Sequence, residues 1–185
     1  MARFDKTLAK KAVDWFPRYL RHTKGEWKGS RFELLPWQKK DVIKPLFGTI
    51  KDDGMRQYKT VYVEAPKKQG KSPLAAGVAL RLLFAENEPG AEIYSAACDK
   101  EQAAIVFDIA ADMVRQNLKL AHRCKILDAT KRIIHNNGSF YRVLSSDVKT
   151  KHGFNPHAVI FDELHAQPNR NLWDVLTVGT GAARR

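Results

Sequence analysis

Cysteine is scarce in this chain: Cys98 and Cys124 are the only two in 185 residues. They show no metal-ligand spacing, so neither a disulfide framework nor a structural zinc site is expected, and both read as reduced thiols in a cytoplasm. Long apolar runs are missing as well. No stretch approaches the ~18–20 apolar residues of a membrane span, so no membrane partner is expected. The first twenty residues are charged and interrupted, without the apolar core of a secretion signal. No internal repeat or low-complexity segment is found. Acidic residues are in short supply, 20 Asp and Glu against 32 Lys and Arg, a formal charge of +12. That excess suits a polyanionic partner, nucleic acid first. It is spread along the chain rather than gathered in a tail, so a generally basic soluble surface would produce it too. The length fits one α/β domain, and 44% hydrophobic residues can bury a real core.

What is present is organised around residues 61–72. The β-prone run Val61-Tyr62-Val63-Glu64 reaches a loop, Ala65-Pro66-Lys67-Lys68-Gln69-Gly70-Lys71-Ser72, and the apolar run from Leu74 to Leu80 follows. The spacing predicts a strand, a phosphate loop and a helix. In such a loop the backbone N–H groups point inward and cradle phosphate oxygens, and the helix N-terminus adds partial positive charge. Lys71 would reach the β- and γ-phosphates, and the Ser72 hydroxyl would ligate Mg²⁺. Pro73 is tolerated in the first helical turn, where an N–H has no intrahelical partner. Ala65 stands where the usual pattern has glycine, and a Gly-Lys-Ser turn opening an ordinary helix would look similar.

Upstream, residues 5–22 read as an amphipathic helix with Leu8, Ala12, Trp15, Phe16 and Tyr19 on one face. Residues 25–30 are a loop by composition. Pro36-Trp37-Gln38 opens a short helix ending near Phe47-Gly48. The Gln38 amide offers both a donor and an acceptor, the combination needed to read an adenine edge, although a surface glutamine at a helix start would look the same. Trp37 is better suited to packing than to base stacking. Downstream of the loop, a helix to about Ala85, a strand over 92–97 and a helix from about Asp99 to Leu118 imply parallel pairing with right-handed crossovers. The second helix carries Ala103, Val106, Phe107, Ala110, Met113 and Val114 on one face. Asn136-Asn137-Gly138-Ser139 between two β-prone runs predicts a hairpin, in which His135 is a strand residue rather than a ligand.

A second motif is Ala158-Val159-Ile160-Phe161-Asp162-Glu163, which reads as a buried strand with two carboxylates at its C-terminal end, where open α/β sheets bind ligands. Asp162 would hold Mg²⁺, directly or through water, opposite Ser72. Glu163 would orient and deprotonate an attacking water. A buried strand capped by a solvated acidic turn is the plainer alternative, but both motifs in this order in one chain point to nucleotide hydrolysis.

On these residues the chain resembles the N-terminal ATPase part of the tailed-bacteriophage terminase large subunit. The resemblance covers most of the chain. It rests on Phe32-Glu33-Leu34-Leu35-Pro36-Trp37-Gln38, on the loop from Ala65 to Ser72, on Ser145-Ser146-Asp147 through Lys151-His152-Gly153-Phe154-Asn155-Pro156-His157, and above all on Val159-Ile160-Phe161-Asp162-Glu163-Leu164-His165-Ala166-Gln167-Pro168. It implies an α/β P-loop NTPase of the RecA/ASCE type, a parallel-sheet core with helices on both faces. Residues 1–50 would be an N-terminal helical segment and residues 51–185 the ATPase core.

The resemblance further implies that Gln38 reads adenine and that Pro66, Lys67, Lys68, Gln69, Gly70, Lys71 and Ser72 bind nucleotide. Glu163, Lys71 and Lys67 would be catalytic, and Ser72 and Asp162 would hold the metal. The family more often has arginine at the place of Lys67, and lysine offers a point charge instead of a planar fork. The implied cofactors are ATP and Mg²⁺, and the implied partner is double-stranded DNA moved into a capsid. The longer protein would form a homo-oligomeric ring on the portal, with a small terminase subunit, in the cytoplasm of a bacterial host. Ring ATPases complete each site with a neighbour's basic residue, for which Lys151 and His152 are the candidates; a basic turn facing solvent is the other reading of these two. Family members continue beyond the 172–176 helix into a further strand, a linker and an RNase H-like nuclease domain. A chain stopping at Arg185 is therefore expected to be a fragment, with the sheet truncated beyond Asp162, doubtful activity on its own and no nuclease activity. Two other functions compete. Asp162-Glu163-Leu164-His165 has the form found in helicase-type ATPases, and a non-catalytic nucleotide- or DNA-binding fragment would carry the same loop.

Overall fold

The computed structural model describes residues 1–86, 88–97, 100–145, 154–167 and 169–178. A short strand β1 (Ala2–Phe4) leads into helix α1 (Lys6–Tyr19), whose N-cap Asp5 accepts the Leu8 N–H at 2.9 Å. Ala9, Ala12 and Phe16 face inward at helical spacing. Leu8, expected on that face, is exposed instead, because the buried stripe is narrower than the apolar pattern. A turn over 24–30 follows, then a π-helical turn (Gln38–Ile43) running directly into α2 (Lys44–Gly48). Strand β2 (Thr49–Lys51) pairs antiparallel with β1 to make a separate two-stranded ribbon.

Helix α3 (Lys71–Ala85), strand β3 (Glu92–Ala97) and helix α4 (Lys100–Arg115) follow as the sequence predicts. The described part of the chain continues with α5 (Leu118–Ala121), β4 (Cys124–Leu127), β5 (Arg132–His135), β6 (Phe140–Ser145), β7 (Pro156–Phe161) and α6 (Asn171–Val178). The main sheet has the order β4-β5-β6-β3-β7. Strands β6, β3 and β7 are parallel, while β4, β5 and β6 form an antiparallel meander through the expected hairpin.

Side chains on β3 alternate between the two faces of the sheet, as the period of two requires. Ile93 and Ala97 join the core made with α3 and α4, and Tyr94 and Ala96 join a second cluster with Leu172 and Leu176 of α6. Helices therefore cover both faces. Phe16, Leu20, Phe32, Leu34, Ile43 and Phe47 belong to the same core as α3 and α4, so α1, the 38–43 turn and α2 pack as a layer on α3 and α4. Trp37 packs partly buried against that core.

Two expectations about strands are corrected. Residues 61–64 form no strand: Val61 and Tyr62 are exposed, and only Val63 packs on the core. A β-prone run becomes a strand only where a neighbouring backbone takes its hydrogen bonds, and no described strand pairs with this one. Strand β7, expected to be buried, is partly exposed along most of its length, because it pairs with β3 alone and forms the edge of the described sheet. Among the described residues no helix is long and apolar enough to cross a membrane. Cys124 is a free thiol, pushed up to about 11 by burial. Cys98 lies outside the described residues.

Candidate functional site

The site lies at the C-terminal end of β7, against the start of α3. Gly70 is the N-cap of α3 with φ +73°, in the left-handed region that favours glycine. A Cβ at this position would also stand 3.3 Å from Gln38 Nε2. Lys68 takes the left-handed conformation as well, with φ +66°. No side chain caps α3, so the N–H groups of its first turn and its dipole are left for an anion.

Lys71 folds back over the loop, where its Nζ donates to the carbonyl oxygens of Ala65 (2.6 Å) and Pro66 (3.3 Å). Ala65, standing where the usual pattern has glycine, thus supplies the carbonyl that holds the lysine. Lys67 is exposed. Ser72 Oγ donates to Asp162 Oδ2 at 3.4 Å. The edge strand makes this contact possible: Asp162 leaves β7 while its N–H still bonds the Ala96 carbonyl at 3.1 Å, which aims the carboxylate at α3. Burial raises the Asp162 carboxyl above the usual range, and the Glu163 charge adds to this. Hydrogen bonds from Ser72 and the Glu163 backbone, with the Lys71 charge, oppose it.

A half-buried carboxylate made costly by its surroundings, 3.4 Å from a hydroxyl, is a pair of hard oxygen donors suited to Mg²⁺. That ion characteristically takes one or two protein oxygens and keeps several waters. Elsewhere among the described residues no three His, Cys, Asp or Glu side chains come together as a metal site.

Glu163 sits in a left-handed backbone conformation (φ +49°) as the N-cap of a 3₁₀ turn, Leu164–Ala166. For a residue other than glycine that conformation is strained, and it turns the side chain away from the strand direction. Its carboxylate is half-exposed, with Oε2 3.5 Å from His165 Nδ1. Sequence reasoning gave His165 no role; the Asp-Glu-x-His spacing was the only available signal. Gln38 is almost fully buried. Its Nε2 donates to the Gln69 carbonyl at 3.3 Å, and its Oε1 accepts the Leu35 N–H at 3.0 Å. The structure thus brings Gln38, Gly70, Lys71, Ser72, Asp162 and Glu163 into one region. Lys151 and His152 lie outside the described residues.

A sheet with parallel strands β6, β3 and β7, a glycine-ended loop at the head of α3 and a carboxylate facing that loop make up a P-loop NTPase core. The family model described as terminase large subunit, ATPase domain, matches residues 36–184, and the chain belongs to this family. The terminase large subunit of Enterobacteria phage HK97 is 31% identical over 180 residues, 95% of this chain and 34% of that protein. The crystal structure of the HK97 bacteriophage large terminase superposes with a TM-score of 0.80 at 29% identity, over 95% of this chain and 36% of the other. The ATPase domain of the Thermus phage P74-26 large terminase shares the fold, with a TM-score of 0.51 at 22% identity over 61% of this chain and 51% of that one. The chain thus spans about a third of the length of its HK97 relatives.

Proposed function

We propose that this chain is the ATP-hydrolysing part of a DNA-packaging motor. In this reading the longer protein converts ATP hydrolysis into movement of double-stranded DNA into a capsid, as a homo-oligomeric ring on the portal with a small terminase subunit, in the host cytoplasm. The observation that carries the reading is the approach of Ser72 to Asp162 at the head of α3, which joins two motifs 90 residues apart. The N–H groups of residues 67–72 receive the phosphates. Lys71 exchanges its carbonyl partners on Ala65 and Pro66 for phosphate oxygens, so the cation that holds the loop in shape is the one that binds nucleotide. Ser72 and Asp162 would hold Mg²⁺, which when bound would supply positive charge beside the phosphates. Glu163 leaves His165 and accepts a proton from the attacking water. Lys67, exposed on the loop, serves as a second cation. Gln38 reads adenine by exchanging its contact with the Gln69 carbonyl for the base, so base recognition and loop shape share one amide.

Hydrolysis also needs positive charge on the transferred phosphoryl group, and in related enzymes such a residue supplied by a partner is worth roughly 10³–10⁵ in kcat. Lys151 or His152 of a neighbouring subunit is the proposed source. This chain alone is accordingly proposed to bind Mg²⁺-ATP but to turn it over slowly. Single-turnover phosphate release with protein in excess, for the parent and for Glu163→Gln, tests the reading. The amide keeps the shape and loses the base, so binding should persist while the chemical step slows at least ~100-fold. Equal rates would move the general base elsewhere.

A further inference from the structure

At the end of the sheet opposite the site, the same two elements that carry the site are joined a second time. Helix α3, 15 residues long and therefore about 22 Å, runs from Lys71 back along the sheet and ends at its C-cap Glu86. Strand β7 runs the other way, from Pro156 and His157 toward Asp162. His157 Nε2 lies 3.2 Å from Glu86 Oε2. The other carboxylate oxygen, Oε1, accepts Arg56 Nη1 and Arg81 Nη1, each at 3.1 Å. The node is enclosed: the His157 side chain is 2% exposed and that of Glu86 18%. Arg81 also stacks over Phe47, with its Cζ 3.8 Å from the ring centre.

Burial alone would raise the Glu86 carboxyl. The His157 hydrogen bond and the charges of Arg56 and Arg81 outweigh it and hold the group below its usual range. A buried carboxylate with three partners is costly to leave unpaired, so this contact is a firm one. Ser72 and Asp162 at the other end are linked by a single long bond of 3.4 Å, which ligands must rearrange. β7 is also the edge strand of the described sheet: β3 sets its register on one side, and the Glu86–His157 contact ties it directly to α3.

We propose that Glu86 and His157 are positioning residues for the metal pair, holding α3 and β7 in register from the far end of the sheet so that the Ser72 hydroxyl and the Asp162 carboxylate stay at joint coordination distance. Arg56, which follows β2, and Phe47 on α2 extend the node into the N-terminal layer. That layer also touches the head of α3 through Gln38, so α3 is gripped at both ends. The inference rests on the reading of Ser72 and Asp162 as the metal site.

The test measures the affinity of a fluorescent ADP with and without Mg²⁺ for the parent, His157→Leu, His157→Gln and Glu86→Gln. The parent should bind at least ~10-fold more tightly with Mg²⁺. His157→Leu keeps the volume and loses the bond. Its Mg²⁺ increment should fall to about twofold or less, while metal-free affinity, which depends on the phosphate loop, stays within about twofold. His157→Gln, whose amide nitrogen reaches to about the place of Nε2, should restore the increment. Glu86→Gln, which keeps the shape and removes the charge, should behave like His157→Leu and stands in for it if that variant does not fold. An unchanged increment in either variant overturns the inference, and so does an equal loss with and without Mg²⁺, which would mark a purely structural role. A parent with no Mg²⁺ increment would overturn the metal-site reading itself, and the inference with it.

Discussion

Replacing Lys71 by alanine separates the energetic terms at the phosphate loop. In the free protein the ammonium already has partners, the Ala65 carbonyl at 2.6 Å and the Pro66 carbonyl at 3.3 Å. Binding a triphosphate therefore exchanges contacts; it does not satisfy an empty cation. A hydrogen bond to a charged group is worth ~1.5–3 kcal/mol. Two such bonds to the β- and γ-phosphates, set against the Ala65 bond given up, with the 3.3 Å contact to Pro66 too long to count as a full bond, leave a net gain of ~1.5–3 kcal/mol. At ~1.4 kcal/mol per decade, Lys71→Ala should weaken Mg²⁺-ATP binding by ~10–150-fold in isothermal titration calorimetry. The same change frees the loop carbonyls to water, so amide hydrogen exchange over residues 67–70 should quicken in the nucleotide-free protein. A change in affinity below about threefold would refute the reasoning, since the lysine would then contribute no more to the phosphates than it surrenders at Ala65.

Gly77 lies inside α3, where a Cβ would stand 2.8 Å from Phe16 Cε1 and 3.2 Å from Leu20 Cδ1, both side chains fully buried. Overpacking of ~1–3 kcal/mol outweighs the ~1 kcal/mol of helix propensity gained. Gly77→Ala should thus lower stability by about 1 kcal/mol in urea denaturation, and a stabilised variant would mean that the Phe16 ring yields freely. DNA binding should be weak, independent of sequence and salt-sensitive, because the formal charge is +12 and no base-reading module is recognised. Log K should fall linearly with log salt, by about 0.9 per phosphate contact on duplex DNA, and a flat salt titration would contradict this.

Local chemistry made much of this protein legible. The helix over α1, the helix from Lys71 to Ala85, the strand over Glu92–Ala97 and the Asn-Gly hairpin follow from periodicity and turn residues, which act over a few neighbouring positions. Gly70, Lys71, Ser72, Asp162 and Glu163 could be proposed as site residues for the same reason, since phosphate and metal chemistry demand particular groups at particular ends of a strand or helix. Residue type alone does not say which backbone lies beside which. The run Val61–Glu64 has strand composition and no strand neighbour; β7 has the composition of a buried strand and lies at an edge; β1, β2 and β4 gave no sequence signal strong enough to place them.

The sequence by itself determined the α/β class, the two motifs and the chemistry they are fit for, because each of these is written within a dozen consecutive residues. Only the tertiary structure decided that Gln38 holds the Gln69 carbonyl, that Lys71 rests on Ala65, and that Glu86 gathers Arg56, Arg81 and His157 at the far end of the sheet. Apart from the short reaches of Lys71 to Ala65 and of Arg81 to Glu86, those contacts join residues far apart in the chain. The energy of a buried polar contact depends on burial and partners that exist only once the layers have closed around it.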